Sequence, residues 1–344
     1  MKTHKNLFQK FCSFENLHSA YLKARKCKRY KDYVLEFSYD LEKNLFLLQS
    51  ELISQDYHCR EYNGFIINDS KKRLIKAPDF RDRIMHHALY NIIEPIFDNS
   101  FIYDSYACRK EKGTHKAILR LKGFLKNKRN VYCLQCDVRK FFESIDQNIL
   151  KKLIKKKIAD KKILKVVNKI IDSSFDHKNF ENLFDFRLTG IPLGNLTSQL
   201  FANIYLNELD QFIKHSLREK YYIRYMDDFL ILVYNKGELF KIKEEIKKFL
   251  LVRLKLDLHP KKCNIFPVKK GIDFLGYRIF ANYRLLRKST VKRFIKRTKL
   301  YKKKLRSGLM AFEKFNRSIQ SWFAYAKFGN SWKLRESLVG LWEI

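Results

Sequence analysis

The sequence has few acidic residues and no long apolar run. Its 344 residues include 36 Asp and Glu against 72 Lys and Arg, which gives a formal net charge of +36. Such an excess of one sign repels itself in a compact chain, and a bound polyanion such as nucleic acid would relieve that repulsion. An anionic membrane surface is the competing partner. However, no uninterrupted apolar segment has the length of a membrane span and no lipidation motif is present, so we expect no membrane partner.

Glycine and proline are also scarce, with 11 and 5 residues, whereas Phe and Tyr number 29 and 19. This balance favours dense regular structure over disorder. No Gly/Ser-rich linker and no internal repeat is visible. The length predicts two or three structural units, whose boundaries must therefore come from changes of pattern.

The seven cysteines are scattered and odd in number, which is typical of free thiols in a reducing compartment. The first residues lack the apolar segment of a signal peptide, so we expect a cytoplasmic protein. Cys133 and Cys136 form a C-x-x-C pair, a spacing that zinc and redox sites use. No second Cys or His pair follows at ligand spacing and the segment has a strand pattern, so we expect no metal there.

Apolar periodicity gives the element order. It predicts helices up to about residue 60, a short β-hairpin over 62–78 with a turn at Asn68-Asp69-Ser70, and a helix over 82–97. The later segments alternate between strand and helix. They are a strand over 131–137, a Lys-rich helical stretch over 146–176, a long helix after Gly190, an apolar hairpin over 221–234, a helix over 238–255, a strand candidate over 274–279, and basic helices from 285. The order predicts an α+β fold in which helices pack against an antiparallel sheet.

Three acids occupy unusual positions in this pattern. Asp137 ends one apolar strand, and Asp227-Asp228 sits at the tip of the apolar hairpin. Burying a carboxylate among apolar neighbours costs roughly several kcal/mol of folding free energy, or the group becomes protonated, unless a cation compensates its charge. Carboxylate oxygens suit Mg²⁺, which also binds substrate phosphates, and two such ions can clamp the attacking and leaving oxygens of a displacement.

An isolated Asp-Asp pair is usually an ordinary turn, because Asp is common in turns. Here the pair is flanked on both sides by apolar β arms, and a second strand that ends in an acid lies upstream. The combination favours a cation site over a plain turn.

These motifs resemble those of reverse transcriptases. Tyr225-Met226-Asp227-Asp228 is similar to the family's Y-x-D-D motif, and Asp137-Val138-Arg139-Lys140-Phe141-Phe142 is similar to its motif A. The resemblance implies two Mg²⁺ ions, with Mn²⁺ as a possible substitute, held by Asp137, Asp227, Asp228 and the Val138 carbonyl. It places Tyr225 and Met226 beside the substrate. It also implies that Phe142 is a steric gate against the ribose 2′-hydroxyl, although simple core packing is the alternative for this ring.

The resemblance covers nearly the whole chain and implies a right-hand polymerase with fingers, palm and helical thumb. On this basis the chain divides into an N-terminal helical extension (1–60), fingers (61–130), a palm (131–278) with an insertion at about 150–190, and a thumb (279–344). Residues 274–277 resemble the primer-grip hairpin.

Four cations have implied roles in handling the triphosphate. Arg73, Lys76 and Arg83 lie in segments that resemble the fingers of bacterial reverse transcriptases, where cations hold the incoming nucleotide, and the guanidinium fork suits phosphate oxygens. A solvated basic face is the alternative for each of them. Lys262 falls where the family places a lysine that can protonate pyrophosphate.

The motif B loop distinguishes subclasses. Most reverse transcriptases have Q-G-x-x-x-S-P, whereas this chain has Leu193-Gly194-Asn195-Leu196-Thr197-Ser198-Gln199. The joint change to Leu193 and Gln199, with Gly194 kept, resembles the enzymes of diversity-generating retroelements, which copy template adenines inaccurately. An apolar side chain cannot supply the hydrogen bonds of the usual Gln, so discrimination should weaken. A neutral loop variant in an ordinary enzyme is the alternative.

The resemblance also implies partners: a structured template RNA, the RNA/cDNA duplex, dNTPs and a small basic oligomeric accessory protein. A retron or defence-associated reverse transcriptase is the alternative within the class. An RNA-binding maturase or scaffold without polymerase activity is the alternative from another class, since the charge alone fits all three.

Overall fold

The computed structural model describes residues 3–68, 72–126, 131–173 and 188–341. The N-terminal region is helical, as the periodicity predicts. Leu45, Leu48 and Leu52 are buried at helical spacing. The four helices are α1 (Phe8–Cys12), α2 (Phe14–Ala24), α3 (Asp32–Tyr39) and α4 (Leu41–Ser54).

The next region begins with the predicted β-hairpin. It consists of β1 (Asn63–Asn68) and β2 (Lys72–Ala77), paired antiparallel, whereas Asp69 and Ser70 of the predicted turn lie outside the described residues. Two helices follow, α5 (Phe80–Asp98) and α6 (Thr114–Leu125). The Asp79 carboxylate accepts a hydrogen bond from the Arg81 amide and so caps α5, which explains why this helix begins before the predicted residue 82.

A four-stranded antiparallel sheet forms the centre of the molecule, in the order β4-β5-β3-β6. The apolar runs around the acids are its central strands, as predicted, whereas the edge strand β6 was not predicted. The elements are, in chain order, β3 (Tyr132–Asp137), α7 (Phe141–Ser144), α8 (Gln147–Lys155), α9 (Lys161–Asp172), α10 (Leu196–Gln211), β4 (Tyr222–Tyr225), β5 (Asp228–Val233), α11 (Lys236–Phe249) and β6 (Asn264–Pro267).

Both faces of this sheet are covered, because side chains alternate along a strand. Phe229 and Ile231 of β5 join a core formed with α8 to α11 and the N-terminal helices, whereas Leu230 joins a second core with α6 and the C-terminal helices. Cys133 and Cys136 of β3 belong to opposite cores for the same reason. The two thiols therefore face away from each other and form no shared metal site.

A three-stranded sheet connects the centre to the C-terminal helices. Its strands are β7 (Ile272–Phe274), β8 (Tyr277–Ile279) and β9 (Arg284–Leu286), followed by α12 (Lys288–Arg306), α13 (Phe312–Lys327) and α14 (Trp332–Ser337). The single strand that the periodicity predicts over 274–279 is wrong, whereas the hairpin that the family resemblance implies at 274–277 is present. Leu275 and Gly276 adopt positive φ of 51° and 89°, which makes a tight hairpin turn between two short strands.

The arrangement confirms the α+β fold, with helices on both faces of an antiparallel sheet. All seven cysteines fall in the described ranges and are free. Among the described residues, no helix combines the length and apolar composition needed to cross a bilayer.

Candidate active site

The sheet brings the predicted acids together. Asp137 is the last residue of β3 and Asp228 the first of β5, and the two are directly opposed in the antiparallel register. Opposed residues of such a pair have Cα atoms roughly 4.5–5.5 Å apart. Asp227 precedes Asp228, and its carbonyl accepts a hydrogen bond from the Val138 amide at 3.3 Å. The three acids therefore lie at one edge of one sheet.

The turn that presents the acids has an unusual backbone. Met226 adopts a left-handed conformation with φ of 57°, which is uncommon for a residue with a side chain. Tyr225 pairs with Asp228 across the turn, and its hydroxyl lies 3.2 Å from the Thr114 hydroxyl on α6. The Y-x-D-D segment is therefore a tight β-turn whose first side chain is fixed to a neighbouring helix.

Asp228 has a strongly perturbed pKa. Burial raises the pKa of Asp228, and the nearby charges of Asp137 and Asp227 raise it further, to about 7, against a hydrogen bond from the Gln135 amide that lowers it. This crowding of negative charge is what a divalent cation would relieve. The donor set, carboxylates on two adjacent strands, fits Mg²⁺.

The acids do not form a closed metal cage by themselves. Within the described ranges, no three His, Cys, Asp or Glu side chains are grouped closely enough to hold a metal ion. Mg²⁺ usually binds one or two carboxylates together with substrate phosphates, so a site completed by substrate fits this arrangement. The Lys262 ammonium lies 2.6 Å from Asp137 Oδ2, which brings this predicted residue to the same place.

A fully buried arginine, which was not predicted as a site residue from the sequence, lies directly beneath the turn. Arg224 donates to the Met226 carbonyl at 3.1 Å, to Asn203 at 3.1 Å and to both carboxylate oxygens of Asp210 at 2.6 and 2.7 Å. Burial alone would lower its pKa, but the charge and hydrogen bonds of Asp210 raise it. An arginine within an apolar strand, just before the acids, was the available signal.

Val138 and Phe142, the other two predicted site residues of motif A, have different environments. Val138 is buried and forms an isolated antiparallel bridge with Leu258. Phe142 is half-buried, its ring lies 5.4 Å from that of Phe141, and its carbonyl accepts from the Ile191 amide at 2.9 Å. The ring at the predicted gate position therefore packs against Phe141, and the residue stays partly exposed.

The motif B loop is bound to the first hairpin. The Lys76 amide of β2 donates to the Leu193 carbonyl at 3.0 Å. Gly194 has φ of +135°, and a Cβ atom there would collide with the Lys76 carbonyl. Leu193 is half-buried and Gln199 is exposed on α10. The loop and β2 therefore approach each other closely, a long-range contact that no local pattern in the sequence reveals.

The predicted triphosphate cations are not equally available. Arg83 donates to the Pro78 carbonyl at 2.9 Å and to the Tyr33 hydroxyl at 3.3 Å, so its guanidinium is partly engaged within the protein. Lys76 is half-buried beside the motif B loop. Arg73 lies on β2, but its side chain falls outside what the structure describes.

A protein-family model matches the chain. The model described as "Reverse transcriptase (RNA-dependent DNA polymerase)" matches residues 64–279, more than half of the chain. The chain belongs to the reverse transcriptase family. The matched range begins in β1 and ends at the last residue of β8, so it contains the whole acidic edge of the sheet. The α+β fold is accordingly that of a right-hand polymerase.

Curated relatives include proteins of group II introns. The chain is 29% identical to the protein YkfC of Escherichia coli K12 over 272 residues, covering 68% of this chain and 71% of that one. It is 27% identical to the group II intron-encoded protein LtrA of Lactococcus lactis subsp. cremoris over 288 residues, covering 66% of this chain and 47% of that one. The chain thus spans less than half of LtrA.

Solved structures that match part of the chain include telomerase from Candida tropicalis in complex with a fragment of telomeric RNA. That match has a TM-score of 0.46 at 17% identity and covers 68% of this chain and 47% of that one. Telomerase from Candida albicans matches with a TM-score of 0.45 at 14% identity, covering 65% of this chain and 45% of that one.

Proposed function

We propose that the protein is an active RNA-directed DNA polymerase that extends a primer on an RNA template. The observation that carries the proposal is the direct opposition of Asp137 and Asp228 at the edge of the sheet, with Asp227 beside them. Two bound Mg²⁺ ions would supply activation of the 3′-hydroxyl and stabilisation of the leaving pyrophosphate. Mn²⁺ would serve as a substitute.

The protein's own residues would position the reactants around these acids. Asp137, Asp227, Asp228 and the Val138 carbonyl would hold the ions. Lys262, already at the site, would protonate the pyrophosphate as it leaves. Tyr225 and Met226 would support the primer end, and Lys76, Arg73 and Arg83 would contact the triphosphate.

Primer extension with purified protein, an RNA template, dNTPs and Mg²⁺ tests the proposal. We expect Asp227→Ala to abolish extension while RNA binding persists, because binding depends on the many cations and not on this acid. Asp257→Asn, a change at an exposed acid outside the cluster, is the matched control and should keep activity. If the natural sequence binds RNA but never extends a primer, the chain is a binding protein of the maturase kind.

Phe142 would select deoxynucleotides, because its partly exposed ring would clash with a ribose 2′-hydroxyl. We expect Phe142→Val to raise ribonucleotide incorporation relative to deoxynucleotide incorporation by about tenfold or more, since removing a steric clash is worth roughly 1–3 kcal/mol. Phe141→Val changes the buried neighbour and should lower stability without changing this ratio. An unchanged ratio in the Phe142 variant would leave core packing as the role of the ring.

We further propose that the enzyme belongs to a diversity-generating retroelement and copies template adenines inaccurately. The support is the sequence of the motif B loop, with Leu193 and Gln199 in place of the usual Gln and Pro, in a loop that lies against β2. A structured template RNA and a small basic accessory protein would complete the system, and the scattered free thiols favour a cytoplasmic location.

Sequencing of the cDNA separates this subclass from a retron or defence enzyme. We expect errors to concentrate opposite adenines and Leu193→Gln to reduce them, because the amide restores hydrogen bonds at the nucleotide pocket. Leu196→Gln, at a half-buried leucine that begins α10, is the control. Uniform fidelity across template bases would remove the adenine-specific part of the proposal.

A further inference from the structure

A lysine ammonium contacts one of the expected metal ligands. Lys262 Nζ lies 2.6 Å from Asp137 Oδ2, a charge-assisted contact, and the two side chains are 47% and 20% exposed. Backbone hydrogen bonds fix the position of the loop 259–262, which carries Lys262. The His259 amide donates to the Asp137 carbonyl at 2.7 Å, and the Lys262 amide donates to the His259 carbonyl at 3.1 Å. These bonds hold the end of β3 and the loop 259–262 together independently of the ion pair.

An ammonium and a divalent ion cannot both use the same face of one carboxylate without strong repulsion. At short range two positive charges repel even when water partly screens them. The ammonium is one unit of positive charge on a flexible stem, and its partial exposure leaves it room to move away. A metal ion that approaches Oδ2 of Asp137 therefore competes with this ion pair.

We propose that Lys262 is a displaceable internal cation that occupies Asp137 before metal binding and thereby lowers the affinity of the substrate-free protein for divalent ions. Displacement frees the ammonium for the triphosphate of the incoming nucleotide. The metal is therefore bound tightly only when phosphate oxygens help to hold both cations. The inference rests on the proposed function in one respect, namely that Asp137 is a metal ligand.

Titration of the full-length protein with Mn²⁺, followed by electron paramagnetic resonance without nucleotide or nucleic acid, tests the proposal. We expect Lys262→Met to bind Mn²⁺ about two- to tenfold more tightly than the natural sequence, because a half-exposed ion pair no longer competes. Lys262→Arg keeps the charge and should stay within about twofold of the natural sequence. Thermal melting confirms that each variant is folded.

Lys261→Met is the matched control, because it removes the same charge from an exposed neighbouring position. It should change Mn²⁺ affinity much less than Lys262→Met does, and an equal change would overturn the proposal in favour of a general charge effect. In the background of Asp137→Asn, the substitution of Lys262 should have no further effect on affinity. A persisting gain there would also overturn it, because the lysine would then not act through Asp137.

The Mn²⁺-binding experiment and the primer-extension assay test the two proposals independently. If the Mn²⁺ cycle gives the expected pattern while primer extension is absent, the internal cation stands and the polymerase proposal fails. If extension requires Asp137 but Lys262→Met does not tighten Mn²⁺ binding, the polymerase stands and the internal cation fails.

Discussion

At the scale of single residues, a buried ion pair lies beneath the acids and contacts the turn that carries them. Arg224 and Asp210 are both fully buried and form a two-point ion pair, to which Asn203, Ser105 and Tyr222 add hydrogen bonds. A buried charge whose partner is lost is far costlier than an ion pair that is replaced as a whole. The Met226 carbonyl uses the same guanidinium, so the geometry of the turn depends on this pair.

Removing the arginine should therefore cost more than a surface charge change. We expect Arg224→Met to lower the free energy of unfolding by roughly 3–5 kcal/mol, measured by urea denaturation, because Asp210 is left buried without a counter-charge. Adding Asp210→Asn should restore part of this loss. Arg253→Met, at an exposed position, should change stability by less than about 0.5 kcal/mol. Equal losses in the two single variants would contradict a special role for the buried pair.

At the scale of elements, the contact between β2 and the motif B loop joins the first hairpin to the central sheet region. We expect Gly194→Ala to destabilise the protein by roughly 1–3 kcal/mol and to raise the KM for dNTPs more than it lowers kcat. The added Cβ would collide with the Lys76 carbonyl, and the residue has positive φ. Gly123→Ala on α6 is the control. A Cβ there meets no atom within 4 Å, so stability should stay or rise.

The Asp160 carboxylate links the N-terminal segment to the start of α9. Asp160 accepts hydrogen bonds from the amides of Leu7 and Phe8 and also from those of Lys162 and Ile163 at the start of α9. Burial raises the pKa of Asp160, but these four backbone donors outweigh it and lower the pKa. The folded pKa is thus below the unfolded one, so the stabilisation is present above the unfolded value and is lost as pH falls through the folded value.

We therefore expect Asp160→Ala to cost roughly 1–2 kcal/mol of unfolding free energy at neutral pH. The difference from the natural sequence should shrink below about pH 4, where the unfolded carboxyl begins to be protonated. Asp172→Ala, which removes an exposed partner of Lys151, is the control and should show a smaller loss. A difference that stays constant from neutral to acid pH would show that the charge of Asp160 is not what matters.

The elements around the site were predictable because their signals are local. The apolar runs on either side of Asp227-Asp228 predict a hairpin, and the strand that ends at Asp137 is predicted from its own seven residues alone. The single strand expected over 274–279 was wrong because Leu275 took the left-handed conformation that its side chain disfavours. Arg224 and the close approach at Gly194 depend on contacts far apart in sequence, which periodicity does not contain.

At the scale of the whole molecule, the positive charge is unevenly distributed. The 19 residues of α12 contain ten Lys or Arg and no acid, whereas α11 mixes five Lys with three Glu. One face of α12 is fixed to α13, where Phe294 stacks on Trp322 with ring centroids 3.8 Å apart. The cations of α12 are therefore left on the outer face of the helix, as a surface suited to a nucleic-acid backbone.

This distribution predicts how binding to an RNA/DNA duplex depends on salt. Each phosphate contact contributes about 0.9 to the slope of log K against log salt concentration. We expect the combined change of Lys296, Lys299 and Lys303 on α12 to Gln to reduce that slope by about two to three. The same change at Lys241, Lys247 and Lys248 on α11 should reduce it by less than about one. All six lysines are exposed and both variants lose the same net charge, so the two variants differ only in the position of the lost charges. Fluorescence anisotropy at several salt concentrations measures the slope for each variant. Equal slopes in the two variants would mean that the duplex responds to the total charge of +36 and not to α12.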